Sequence, residues 1–562
     1  MHVVAKTPLA AADLSQIGGA RWRKLADGPV RAWLRGYVEG DTLARLVRAL
    51  AAPGADAGSA VGAALADARG HFALVVAGID WTVAAVDWVR SIPLFYASRD
   101  SLWTIDDNAE RLRRRAGLDA AALDADAALA IAMAGYTIDR STLFRGLEML
   151  GPGECAVFRA GAEPRRLRYY AYRPWRVSGR TGSDAELADT TLDIVRRMIA
   201  SLDGRALVVP LSAGYDSRLV ASAAHALGYS NVRCFAYGRA DNFEAKASRA
   251  IAERLGYRWA FVPLSVAGQR KFFAGDDHRR YLEYADTCAA VPFVQDMSAV
   301  IALKRRGFIP DDAVIVNGNS GDYISGMHIS SKLRTPPAPG LGAAERKERI
   351  LGALADKHFA LWQSLHTPAN LARIKTLLWR SIESAGGALG DPAGDHGLYE
   401  YAEFQDRQCK YVITGQRIYE FLGHDWRLPL WDNAYLRFWE GVPLAEKAGQ
   451  ALYARMLHAS NWGGVWKDIP VNAKSIRPRW IVPLRSAAKL AHAPLGAQRW
   501  HRFERRYIQY WMDLTCNAAV TPYGRVVRDR RGARHAVAWL AEDFLAAKGL
   551  AFDALAGAGG GP

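Results

Sequence analysis

ALVVPLSAGYDSRLV, residues 206–220, reads as a short apolar strand, a tight turn of small residues and the opening of a helix. Leu211 ends the strand. Small side chains at Ser212, Ala213, Gly214 and Ser217 let backbone N–H groups curl around a phosphate, and the helix that follows presents its positive N-terminus to the same charge. Asp216 is placed to hold a divalent cation against those phosphates. The turn is not a Walker loop, because no Gly-Lys-Ser/Thr follows, and not a dinucleotide fingerprint, because GxGxxG is absent. An ordinary strand–turn–helix with a serine cap has the same appearance, so the turn alone leaves both readings open.

The rhythm around it predicts a parallel sheet. Apolar runs at 206–211, 232–237, 259–264 and 313–316 alternate with helical patterns at 218–227 and 243–255. Strands of that kind are buried on both faces, and their ligands collect beyond the carboxyl ends. The last run leads into a second Gly-rich turn. Upstream, to about Trp175, short strand-like runs at 32–37, 71–77, 82–87, 94–97 and 102–105 mix with helical patterns at 42–50 and 120–134, the signature of an α+β layered domain. A polar stretch, SGRTGSD at 178–184, marks the boundary. After Pro336 the chain reads as helical and aromatic. The division is 1–177, 178–535 and 536–562, the last a C-terminal helix with a Gly-rich tail, and the fold class is α/β.

Composition narrows the rest. The chain has 562 residues, 50% of them apolar and 23% charged, with 73 Lys+Arg against 57 Asp+Glu for a net charge of +16. That excludes disordered and fibrous classes. No apolar run approaches the roughly 18 to 20 residues that cross a bilayer, and the N-terminus lacks the basic-then-apolar profile of a secretory signal. Cys155, Cys234, Cys288, Cys409 and Cys516 lie far apart with no CxxC pair, which predicts reduced, buried thiols in a cytoplasmic protein. From Ser475 to Arg534 there are thirteen basic and three acidic residues, so this stretch holds +10 of the +16. Trp480, Trp500, Phe503, Tyr507, Tyr510 and Trp511 are interleaved with them. The stretch is either a basic, aromatic surface for phosphates or a membrane interface, or a solvated helix face with its aromatics in the core.

The motif SxGxDS after a strand resembles the pyrophosphate loop of the ATP pyrophosphatase superfamily, and ordered segments elsewhere resemble asparagine synthetase and its relatives. CFAYGRADNFEAKASRAIAERLG from Cys234, with Glu244, is similar to the family's second strand and helix. VNGNSGDYISG from Val316 resembles its second Gly-rich turn, with Asp322. GHDWRLPLWD from Gly423 resembles a segment carrying Asp425, Arg427, Pro429 and Asp432, and DIPVNAKS from Asp468 a loop carrying Lys474. GHFALVV at Gly70, DWVRSIPLFYA at Asp87 and FRGLEMLGPGE at Phe144 resemble the glutaminase-type domain of the same family. The resemblance therefore implies an Ntn-hydrolase-like N-terminal domain ahead of an ATP-pyrophosphatase-type synthetase domain. One departure stands out. Such a glutaminase uses a cysteine directly after the initiator Met, whereas this chain reads Met1-His2 and has no cysteine before Cys155, which implies a silent glutaminase.

The resemblance further implies that a carboxylate attacks the α-phosphate of ATP, pyrophosphate leaves, and ammonia or another amine attacks the acyl-adenylate. Leu211, Ser212, Gly214, Asp216 and Ser217 would hold the nucleotide's phosphates, Gly318 would give the adenosine close backbone access, and Tyr237 would pack on adenine. Asp216 and Asp322 would share Mg2+, and Lys474 would stabilise the α-phosphate. In the second turn Asn319 and Tyr323 stand where asparagine synthetase has Glu. Asn cannot accept a proton, so Asp425 or His328 becomes the candidate base. The wording of the motifs is closest to relatives associated with O-antigen and capsule biosynthesis, which implies a nucleotide- or lipid-linked uronic acid sugar as acceptor and leaves a peripheral membrane contact open, with nucleic acid disfavoured. Ring-closing amide synthetases and a catalytically silent scaffold are the alternatives.

Overall fold

The computed structural model describes residues 11–19, 21–27, 30–51, 56–176, 182–240, 242–471 and 476–557. Its N-terminal third contains a six-stranded antiparallel sheet in the order Arg23–Asp27, Arg31–Val38, Gly70–Ala77, Trp81–Val86, Glu154–Arg159 and Arg165–Arg168. Every residue of Gly70–Ala77 is buried. Alternate side chains explain why: Phe72, Leu74 and Val76 pack towards Leu46, Val61 and Leu65 of two covering helices, while Ala73 and Val75 point to the opposite core. A three-stranded sheet of Leu102–Asp106, Phe95–Arg99 and Glu148–Met149 lies alongside. The helical pattern at 120–134 divides in two. Asp124 accepts hydrogen bonds from the N–H groups of Asp126 and Ala127, so the helix starts at Ala125, after a separate short turn at Ala120–Ala122.

The second sheet has five strands: β1 (Leu207–Pro210), β2 (Val232–Gly238), β3 (Arg258–Pro263), β4 (Val314–Val316) and β5 (Asp425–Arg427), with helix α1 (Asp216–Ala226) after β1 and α2 (Phe243–Arg254) after β2. All its neighbours pair in parallel, in the order β3-β2-β1-β4-β5. The chain therefore steps outward from β1 in one direction and returns to lay β4 on its other side. That reversal is the topological switch point where open parallel sheets leave a crevice at their carboxyl ends. β5 escapes a sequence reading because only three residues of the GHDWRLPLWD motif join the ladder, Asp425 opposite Val314 and Arg427 opposite Val316.

The two parts share one core. A single apolar cluster includes Val75, Trp88 and Tyr96 from the first and Leu187, Val209, Ile315 and Trp426 from the second. Polar ties cross as well: Arg35 pairs with Glu420 at 2.8 Å, and the Gln416 amide donates to the Ser91 carbonyl at 2.5 Å. Helix Ala536–Ala547 places Ala538, Trp539 and Leu545 in a second cluster with Leu129, Ile131 and Met133 of the N-terminal part, so the C-terminal segment is built into the body. All five cysteines are buried and unpaired. Among the described residues no helix is long and apolar enough to cross a membrane.

Candidate active site

A cleft of about 360 Å³ opens at the carboxyl ends of β1 and β4, where the strand order reverses. Ser212, Gly214, Asp216 and Ser217 line it from the β1–α1 turn and the start of α1, Gly318, Asn319 and Asp322 from the turn after β4, Tyr237 from the end of β2 and Glu244 from the start of α2. Leu211 forms its floor, with its N–H on the Phe235 carbonyl at 2.8 Å. In the first turn the Ser212 N–H donates to Ser217 Oγ at 3.0 Å, and the Gly214 N–H donates to Ser212 Oγ at 3.1 Å. No side chain caps the start of α1, whose first residue is Asp216, so its first N–H groups are left to the cleft.

Two glycines lock the turns together. A Cβ on Gly318 would stand 3.0 Å from the Ser217 nitrogen and 3.1 Å from its Cα, and a Cβ on Gly321 would stand 2.5 Å from Asp216 Cγ. Gly318 thus serves first to let the second turn dock on the first. Between the glycines Ser320 holds a left-handed φ of 75°, fixed by its hydroxyl on Gln408 Oε1 at 2.7 Å. The docking brings two carboxylates to one cleft. The Asp322 N–H donates to Asp216 Oδ2 at 3.0 Å, and the Tyr453 hydroxyl donates to Asp216 Oδ1 at 3.3 Å. Burial and the neighbouring Asp322 charge push the Asp216 carboxyl up to about 8.

Asp322 stays ionised. Burial works to raise it, but the hydrogen bond and charge of His328, together with the charge of Arg407, hold it below the usual carboxylate range. His328 donates from Nε2 to Asp322 Oδ2 at 3.1 Å and from Nδ1 to Glu403. Burial would lower this imidazole, yet the two carboxylates raise it to about 9, so it stands as a cation. Glu403 is buried, and despite the burial its two histidine neighbours keep it well below its ordinary value. It also accepts from His358 Nε2 at 2.9 Å and Gln408 Nε2 at 3.0 Å.

Of the two base candidates, the fold brings only His328 near the cleft. Asp425 is the first residue of β5, opposite the first residue of β4, and therefore lies at the amino end of the sheet while the cleft lies at the carboxyl end. Its side chain is 60% exposed and paired with Arg205 at 2.7 Å. The other residues of that motif are structural. Arg427 donates from Nε to Ser201 Oγ at 2.8 Å with its guanidinium over the Tyr37 ring, and Asp432 caps the helix Asn433–Glu440 and pairs with Arg197.

Lys474 lies outside the described residues, but the chain leading to it is held firmly. Arg218, buried on α1, donates to the carbonyls of Val465, Ile469 and Pro470 at 3.1, 2.9 and 3.0 Å and stacks over Trp466. Met1 and His2 also lie outside the described residues. Cys155 is buried in a strand, where burial pushes its thiol up to about 12, so it is no thiolate nucleophile. Glu403 and His358 carry no motif. The only sequence signal near them is charged residues three or four apart, Glu400, Glu403, Asp406 and Lys410, inside a run rich in aromatics.

Comparison with family models gave no match to this chain, and comparison with curated proteins gave none.

Proposed function

We propose that the chain is an ATP-dependent, AMP-forming amide ligase whose nucleotide sits in the cleft between the two turns. The observation that carries the proposal is the pairing of Asp216 with Asp322 beside an uncapped helix N-terminus at the sheet's switch point. Two neighbouring carboxylates, one of them raised to about 8 by burial and by the charge of the other, form a site that gains from a hard cation. The donor set fits Mg2+, which binds through one or two carboxylates and keeps phosphate oxygens as further ligands. When bound, the ion would neutralise charge on the β- and γ-phosphates.

The remaining roles belong to the protein. N–H groups and hydroxyls of the Ser212–Ser217 turn, with the α1 dipole, would receive the pyrophosphate as the bond from the α-phosphorus to its bridging oxygen breaks. The substrate carboxylate would form the new bond to that phosphorus, giving an acyl-adenylate, and an amine would then displace AMP from the acyl carbon. Tyr237 would pack on the adenine. Cationic His328 would keep Asp322 ionised and oriented, Arg218 would fix the segment 465–470, and Lys474 would act on the α-phosphate. The N-terminal part would serve as a scaffold.

Protein incubated with Mg-ATP, ammonium and a small-molecule extract of its own cells should release AMP and pyrophosphate in equal amounts. ADP with orthophosphate would sink the proposal. For the acceptor, the motif wording supports an acidic sugar of a surface polysaccharide. Mass spectrometry of the envelope glycan from a deletion strain should then find a carboxylate where the parent has an amide, and an unchanged glycan would remove that acceptor.

A further inference from the structure

The segment 476–503 forms two helices, Ile481–His492 and Ala497–Phe503. They close on a small nucleus of their own, with Ile481, Trp500 and Ile508 at its centre and Ala488 and Phe503 against it. The inward face of the first helix is Ile481, Arg485, Ala488 and His492, at helical spacing. Arg485 is satisfied there, donating to Glu504 at 2.6 Å with its guanidinium over Trp500. Most of the aromatics also turn inward: Trp500 and Tyr510 are buried, and Phe503, Tyr507 and Trp511 are partly buried.

The outward face is apolar, and among the described residues its one aromatic contact is at its end, where the Trp480 ring meets that of Trp511 edge-on at 6.3 Å. At 3.6 residues per turn, Trp480, Pro483, Leu484, Ala487, Leu490 and Ala491 fall within an arc of about 120°, and all six are exposed. Leu490 is 76% exposed, Leu484 61% and Trp480 55%, and Leu495 just beyond is 47% exposed. The charge carried by this segment has one sign. Residues 476–503 contain six Lys or Arg and no Asp or Glu. Arg479, Lys489, Arg499 and Arg502 are exposed, and none of them has an ion pair among the described residues.

We infer that this helical hairpin docks the protein on an anionic lipid surface. The chemistry selects that occupant on two counts. An aliphatic arc needs an acyl-chain boundary to enter, with an indole at its edge at headgroup level, and the exposed guanidinium and ammonium groups of an acid-free hairpin need phosphates beside them. A single-stranded nucleic acid would satisfy the cations but would ask for stacked aromatics where this face has leucines. The inference is independent of the proposed chemistry in the cleft, because no residue of the arc lines it.

The test is flotation of the full-length protein with vesicles of phosphatidylcholine alone and of phosphatidylcholine containing one part in four phosphatidylglycerol, at low and high salt. Binding to the anionic vesicles, loss on the neutral ones and weakening with salt are expected. The double variant Leu484→Glu, Leu490→Glu should bind the anionic vesicles about tenfold or more weakly, and so should Arg479→Glu, Lys489→Glu, each with an unchanged melting temperature because the altered side chains are exposed. Absence of binding, or equal binding by the variants, overturns the inference. So does light scattering that shows a dimer for the parent and a monomer for the Leu484→Glu, Leu490→Glu variant, since a second copy would then cover the arc.

Discussion

Replacing Asp216 by Asn should stabilise the ligand-free protein while destroying its capacity to act. Between about pH 4 and pH 8 native Asp216 retains a proton that the unfolded chain has already released, because its carboxyl is raised from 3.8 to about 8. Stability must then fall as the pH climbs through that window. At about 1.4 kcal/mol per pH unit, the ceiling on this destabilisation is on the order of 5 kcal/mol above pH 8. Water entering the cleft screens part of it, so an expected gain of about 1–3 kcal/mol for the variant is reasonable. Asn can still accept the Asp322 N–H and the Tyr453 hydroxyl through its carbonyl oxygen, so the exchange removes charge and little else. Thermal unfolding, followed through the fluorescence of 18 tryptophans, should show the variant melting a few degrees above the parent beyond pH 8 and level with it near pH 5. Magnesium with ATP should raise the parent's midpoint and leave the variant's unmoved. A variant that melts below the parent beyond pH 8, or two curves that run parallel at every pH, would refute the assignment of Asp216 as a strained cation ligand.

Gly321→Ala should reduce turnover by about tenfold or more and destabilise by roughly 1–3 kcal/mol, since its Cβ would press on the Asp216 carboxylate; activity and chemical denaturation read both. His328→Gln bears on pH in a defined sense. The raised imidazole, moved from 6.5 to about 9, contributes stability that is fully present below about pH 6.5 and lost as the pH rises through 9. The variant should therefore be weaker by on the order of 2 kcal/mol near pH 6 and close to the parent above pH 9, as denaturant midpoints across that range will report. Asp425→Asn breaks only an exposed pair with Arg205, so turnover should stay within about twofold and stability within about 1 kcal/mol, whereas Asp322→Asn should abolish turnover in the same assay.

What could be read from the sequence was whatever the chain encodes locally. Ser212 to Ser217 and Gly318 to Asp322 each follow an apolar run directly, so turn and position could be inferred from a dozen residues. The cleft itself depends on β4 returning beside β1 after about a hundred residues, a pairing that no local pattern specifies. Glu403 and His358 reach Asp322 through His328 by the same kind of long-range packing. Asp425 went the other way: it sits in a recognisable motif, but the strand's direction carries it to the far end of the sheet. In the basic stretch, residue counts registered charge and aromatics correctly. They did not show that five of the six aromatics turn inward and that leucines of one helix face out instead.

Asp216 and Asp322 would together create the magnesium–nucleotide site. Titration calorimetry of the full chain with ATP tests it most directly, with and without magnesium and with Asp216→Asn and Asp322→Asn in parallel. One ATP should bind per chain, dependent on magnesium in the parent and weakened at least about tenfold in each variant. Binding that ignores magnesium, or that survives both substitutions unchanged, would contradict it.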